Sequence, residues 1–98
     1  MREFLTEALI EPPTGTPREE VDRRVAAEGE RAAELAASGR LLRAWRPEAE
    51  GWRNILLWQA DDEAALAVLI DSLPLREWMT VQVRPLREHP SDPARSGT

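Results

Sequence analysis

The run Pro17–Arg46, PREEVDRRVAAEGERAAELAASGRLLRAWR, decides the fold of this 98-residue chain. It reads as one long amphipathic helix, a glycine stop and a strand. Thr16 is suited to cap the helix, with Pro17 at the first helical position and Glu19 and Glu20 in the opening turn. The helix is predicted to run to about Ala37, with Gly39 as its left-handed stop. At about 100° per residue, Val21, Val25, Ala32, Leu35 and Ala36 share one apolar arc, and Arg23, Glu30 and Glu34 lie opposite. Glu28 falls on the apolar arc. A carboxyl held there loses hydration, which disfavours its charged form and makes it a candidate proton-transfer group near neutral pH. The alternative is structural: Arg24 and Arg31 lie at ion-pair spacing from Glu28 and would turn it outward along the helix flank.

Working outward, REFLTEALI (residues 2–10) alternates as a strand, with Phe4, Thr6, Ala8 and Ile10 on one face and Leu5, Glu7 and Leu9 on the other. Three prolines and a glycine between Glu11 and Pro17 end it. After the helix, Leu41–Arg46 reads as a second strand, with Leu42 and Ala44 on one face and Leu41, Arg43 and Trp45 on the other. Trp52–Ala60 reads as a third, with Trp52, Asn54, Leu56 and Trp58 on one face. Asp61 or Asp62 caps a second helix with a stripe of Leu66, Leu69, Ile70 and Leu73, closed by Pro74. Met79–Leu86 alternates as a last strand.

This order, βαββαβ, is the ferredoxin-like split unit of the α+β class. It implies a four-stranded antiparallel sheet with both helices on one face. The other face is left bare, which invites a second subunit or a ligand. One domain is expected over residues 1–88, followed by a flexible C-terminal tail, 89–98, rich in proline and serine.

Composition narrows the chemistry. A net charge of −5 without a basic, aromatic-interleaved stripe argues against nucleic acid. There is no cysteine, which removes disulfides and thiolate catalysis, and a single histidine, His89, which removes multi-histidine metal sites. All 13 basic residues are arginine, so Schiff-base chemistry is also out. Arginine-only, alanine-rich usage fits a GC-rich bacterial genome. No apolar run reaches the ~20 residues of a membrane span, and the N-terminus lacks a signal layout, so a cytoplasmic protein is expected. A chain this small buries only ~60–65% of its unfolded surface, which favours a homo-oligomer.

Four tryptophans mark the candidate binding surface. Trp52 and Trp58 share a strand face with Asn54 between them: an aromatic wall with one amide suits a small planar or cyclic ligand, although such rings also fill cores and subunit contacts. Asn54, on an otherwise apolar strand, needs either backbone partners or a ligand. Arg43 and Arg46 flank Trp45 and are able to hold a substrate carboxylate bidentately, or to make surface pairs. His89 reads as solvent-exposed, or as lent to a neighbouring subunit's site.

Together these residues resemble the muconolactone Δ-isomerase family over nearly the whole chain. The landmarks are Glu28 within Ala26-x-Glu28-x-Glu30; Gly39 followed by Trp45-Arg46; Trp52-Arg53-Asn54, where the family usually shows Tyr-Ala-Asn; and Leu73-Pro74-Leu75 with Met79, then His89-Pro90-Ser91. The resemblance implies ferredoxin-like subunits that pair through their sheets as dimeric α/β-barrels and build larger rings, often decamers. It also implies a 1,3-proton shift that moves a ring double bond in muconolactone, without metal or organic cofactor. Glu28 would be the proton shuttle, with Trp52, Asn54 and Trp78 shaping the pocket and Arg46, Arg43 and Trp45 beside the substrate.

Departures from the pattern bear on substrate. The family's Glu-Lys-Glu is Glu28-Gly29-Glu30 here, its aromatic-proline-tyrosine run is Arg76-Glu77-Trp78, and its tyrosine is Trp52, which donates only from the indole nitrogen. They point to a divergent member acting on a larger or less polar substrate, for example an intermediate of secondary metabolism. Two other readings stand beside the isomerase: a cyclase or lyase on the same scaffold, and a non-catalytic binding or assembly module.

Overall fold

The structure, a computed structural model, describes residues 1–95. Six main elements follow in order: β1 (Arg2–Ile10), α1 (Arg18–Ala37), β2 (Leu41–Trp45), β3 (Trp52–Ala60), α2 (Glu63–Asp71) and β4 (Met79–Pro85). The four strands form one antiparallel sheet in the order β2-β3-β1-β4, the ferredoxin-like arrangement. β3 and β1 are the two inner strands. β1 pairs with β3 from Arg2↔Ala60 to Ile10↔Trp52 and with β4 from Phe4↔Pro85 to Ile10↔Met79.

That register places Phe4, Thr6, Ala8 and Ile10 beside Trp58, Leu56, Asn54 and Trp52 on the helix-covered face. The core forms there: Phe4, Trp58 and Leu66 are fully buried, joined by Leu35 from α1 and by Ile70, Leu73 and Leu75 from α2 and the segment after it. Thr6, a buried polar side chain on this face, accepts a hydrogen bond from the Trp58 indole Nε1–H at 2.9 Å. That contact satisfies a donor that would otherwise be stranded in the core.

Helix ends follow local chemistry. After α1 the Arg40 N–H donates to the Leu35 carbonyl (2.9 Å) and the Gly39 N–H to Ala36 (3.1 Å). This is a Schellman closure, and it requires the positive φ of 77° that Gly39 adopts. Asp62 caps α2 by accepting from the Ala65 N–H at 2.8 Å. The start of α1 differs from expectation. Pro17 is the cap residue, and Thr16 turns back instead, its hydroxyl donating to the Pro13 carbonyl at 2.6 Å. The competing turn of the proline-rich loop takes the side chain that would have capped the helix.

β2 also departs from simple alternation. It ends at Trp45, and the register shifts between Leu41 and Arg43, so that Leu41 opposes Trp58 and Ala44 opposes Leu56. The bulge at Leu42 puts Leu41 with Ala44 on the helix face and sends Arg43 and Trp45 to the open face. A short 3-10 turn, Arg76–Trp78, leads into β4. Beyond β4, the Leu86 N–H donates to the Glu3 carbonyl (3.0 Å), and His89 Nδ1 accepts from the Ser91 N–H (2.9 Å) ahead of a 3-10 turn at Pro93–Arg95. Residues 96–98 of the expected tail lie outside the described residues.

Candidate active site

α1 lies against β2, and the chain leaving α2 faces it as Leu73-Pro74-Leu75. Between them lies a cavity of about 310 Å³. Glu28, Gly29, Val25 and Ala32 of α1 form one wall, Leu41, Ala44 and Arg46 another, Trp52, Asn54, Leu56 and Trp58 the floor, and Leu73 and Leu75 the far side. The lining is mostly aliphatic and aromatic, with three polar side chains: Glu28, Asn54 and Arg46. A small apolar hollow with few convergent polar groups is the usual form of a small-molecule site.

Glu28 is half-buried and turned inward. Neither arginine expected to draw it outward does so. Arg24 pairs with Glu77 and with Glu20 (3.3 Å) and stacks over the Trp78 ring, while Arg31 takes Glu34 (3.7 Å) and the Ser72 hydroxyl (3.0 Å). The Glu28 carboxylate instead accepts the Leu75 backbone N–H through Oε1 at 3.0 Å. Burial raises its pKa above the ordinary carboxylate value, and the Leu75 hydrogen bond, which favours the charged form, offsets only part of that rise. Oε1 is thereby fixed, while Oε2 makes no protein hydrogen bond among the described residues.

Arg46 follows β2 and, by alternation with Trp45, reaches the helix side and the cavity. Among the described residues its guanidinium has no ion pair or hydrogen bond, and the Asn54 amide has no side-chain partner either. A proton acceptor, a free cation and a free amide therefore face one apolar hollow. The groove between α2 and β4 offers no such set: its Asp71 is already paired with Arg76 at 3.1 Å. Among the described residues no three His, Cys, Asp or Glu side chains gather as a metal would require. No helix there is long and apolar enough to cross a membrane.

Of the residues singled out in the sequence, Glu28, Trp52, Asn54 and Arg46 come together at this cavity. Three do not. Arg43 and Trp45 lie on the face of the sheet opposite Ala44, where the Arg43 guanidinium sits 4.8 Å over the Trp45 ring; the β2 bulge parts them from Leu41, with which the sequence reading grouped them. Trp78 is buried in the core outside the lining, held under Arg24. Trp58, paired with Trp52 in the expected aromatic wall, lines the cavity too, whereas the Leu75 backbone N–H was not singled out: a backbone donor 47 residues away from Glu28 leaves no mark in sequence.

No functionally curated protein matches the chain in sequence. Among solved structures, muconolactone isomerase superposes with a TM-score of 0.83 at 25% identity, covering 93% of this chain and 94% of that one. A 5-chloro-2-hydroxyhydroquinone dehydrochlorinase from Burkholderia phenoliruptrix superposes at 0.66 with 14% identity (89% and 95% covered), and an antibiotic biosynthesis monooxygenase at 0.59 with 13% (92% and 100%). These last two share the fold. The family model of muconolactone delta-isomerase matches residues 2–92, nearly the full length, and the chain belongs to that family.

Proposed function

We propose that the protein is a cofactor-independent isomerase that moves a ring double bond in muconolactone or a related unsaturated lactone acid, with Glu28 as the proton shuttle. The observation that carries this reading is the placement of Glu28: a carboxyl with raised pKa in an apolar cavity, one oxygen pinned by the Leu75 N–H and the other unengaged. Ionised Glu28 takes a proton from the ring carbon beside the double bond. The electron pair delocalises through the alkene onto the lactone carbonyl oxygen, and the protonated Glu28, in exchange with solvent, returns a proton two carbons away. Base and acid are one group, so the cycle closes with no net change in protonation. In this reading the Asn54 amide donates to the developing enolate oxygen and the Arg46 guanidinium holds the carboxylate arm, which their position in the cavity lining supports.

The test is turnover of muconolactone in deuterated water by the parent and by Glu28→Gln. The parent is expected to shift the double bond and to exchange deuterium at carbon; Glu28→Gln should lose about 10²- to 10⁴-fold in rate while still folding. An amide variant as fast as the parent would remove Glu28 from the mechanism. A product other than the shifted alkene would favour a lyase or cyclase on this scaffold.

A further inference from the structure

We propose that Gly29 is the specificity-determining position of the cavity: a gap in the α1 wall through which an apolar substituent on a cyclic carboxylate substrate leaves the pocket. The inference rests on the reading of the Glu28 cavity as the substrate site.

Gly29 lies in the interior of the 20-residue helix α1, where glycine is the least favourable residue after proline. Nothing among the described residues requires it. Its φ is not among the positive ones, which belong to Gly15, Gly39 and Gly51. A Cβ built on it would meet no atom within 4 Å. Alanine would thus fit without strain and strengthen the helix. The glycine is also next to Glu28 and lines the same cavity. A residue that weakens its own helix, serves no turn and makes no close contact is explained by the space it leaves.

The chemistry of that space is apolar. Val25, one turn before Gly29 on the same side of α1, also lines the cavity and is 44% exposed, a β-branched apolar side chain left partly in water. The polar groups of the cavity, Glu28, Asn54 and Arg46, are engaged by the reacting ring and its carboxylate in the reading above. What passes Gly29 therefore meets aliphatic surface, and each methylene it buries there tightens binding about fourfold.

The experiment compares two probes, muconolactone and the same lactone acid carrying an n-butyl group on the ring carbon furthest from its carboxymethyl arm. Binding is followed by quenching of tryptophan fluorescence, since Trp52 and Trp58 lie in the cavity floor. On the parent protein the butyl lactone is expected to bind at least tenfold more tightly. Gly29→Leu, which fills the gap, should bring the ratio of the two affinities to about one, and Gly29→Ala should fall between while raising the melting temperature. Equal affinities on the parent, no binding of either probe, or a ratio unmoved by Gly29→Leu would overturn the proposal. So would a lowered melting temperature for Gly29→Ala, or a changed oligomeric state for Gly29→Leu, either of which would mean that packing or a second copy of the chain claims the gap. Full turnover by Glu28→Gln would sink the isomerase reading and leave the affinity ratio untouched, so the two failures are told apart.

Discussion

The Leu75 backbone N–H donates to Glu28 Oε1 at 3.0 Å, joining the middle of the first helix to the segment that follows the second. This bond does two things at once. It satisfies part of a carboxylate that burial would otherwise leave stranded, and it fixes which oxygen faces the cavity. Arg24 braces the same segment one turn earlier on α1, through Glu77 and the face of Trp78. The cavity wall is therefore tied to the helix that carries its acid group.

Glu28 should make stability depend on pH in a direction opposite to that of an ordinary salt-bridged carboxylate. Its folded-state pKa is raised, chiefly by burial. The stability it contributes is fully present below the unfolded-state pKa and is lost as pH rises through the folded-state value, because the charged form is the one that burial penalises. Glu28→Gln removes that loss while keeping the acceptor for Leu75. The melting temperature of the variant minus that of the parent should be near zero at pH 4 and positive at pH 8. For activity the sign reverses: the base must be ionised, so the acidic limb of kcat/KM should lie above the usual carboxylate range. A temperature difference that stays flat across this interval would show that Glu28 is hydrated.

Arg46 should act on binding and hardly on folding. It lines the cavity without an ion pair among the described residues, so Arg46→Met strands no buried partner. Charge-assisted hydrogen bonds are worth about 1.5–3 kcal/mol, which predicts a KM for a lactone acid raised about 10- to 150-fold. The methyl ester of the same lactone should bind parent and variant alike. An equal loss for acid and ester would mean that Arg46 supports the pocket's shape and not the carboxylate.

Much of this architecture was legible in the sequence because strong periodicity specifies it. β1 and β3 have the expected bounds and faces, and α1 ends where Gly39 stops it. The faces of β2 were not legible, since alternation gives a strand's period but not the point where an extra residue enters. One bulge at Leu42 parts Leu41 from Arg43 and Trp45, so that Leu41 lines the cavity while the other two face the far side of the sheet. Trp78 was misplaced for a related reason: its 3-10 turn and its stacking on Arg24 depend on a helix more than 50 residues earlier in the chain. Glu28 itself was ambiguous between cavity and flank, and the ambiguity is resolved by other partners taking both arginines.

Thr6 should prove costly to replace by its apolar isostere. Its hydroxyl is the acceptor for the Trp58 indole at 2.9 Å, with Thr6 3% exposed and Trp58 0%. Thr6→Val keeps the shape and leaves the indole N–H unsatisfied in the core, at about 1–3 kcal/mol. In a domain of this size each kcal/mol corresponds to about 4–8 °C in melting temperature. Urea denaturation should show a lower midpoint with unchanged slope, and Thr6→Ser should recover most of it. A Thr6→Val midpoint equal to the parent's would show that the indole finds another acceptor.

The open face of the sheet is where Trp45 should matter. Leu5 and Leu9 of β1 and Ile55 and Leu57 of β3 lie there half-buried, and Trp45 at the β2 edge is 41% exposed. Glu7 and Arg53, which lie between them, pair at 3.2 Å. An apolar face that encloses a paired Glu and Arg suits a second copy of the same chain. Trp45→Asp places a charge at its rim and removes an aromatic anchor; anchors of this kind are worth about 2 kcal/mol or more, roughly a 30-fold rise in dissociation constant. Sedimentation across a concentration series should show the parent as a dimer or larger and the variant dissociating at higher concentration, with its helical circular dichroism retained. Should the parent sediment as a monomer at every concentration, the face has another use, and Trp45→Asp would then be silent.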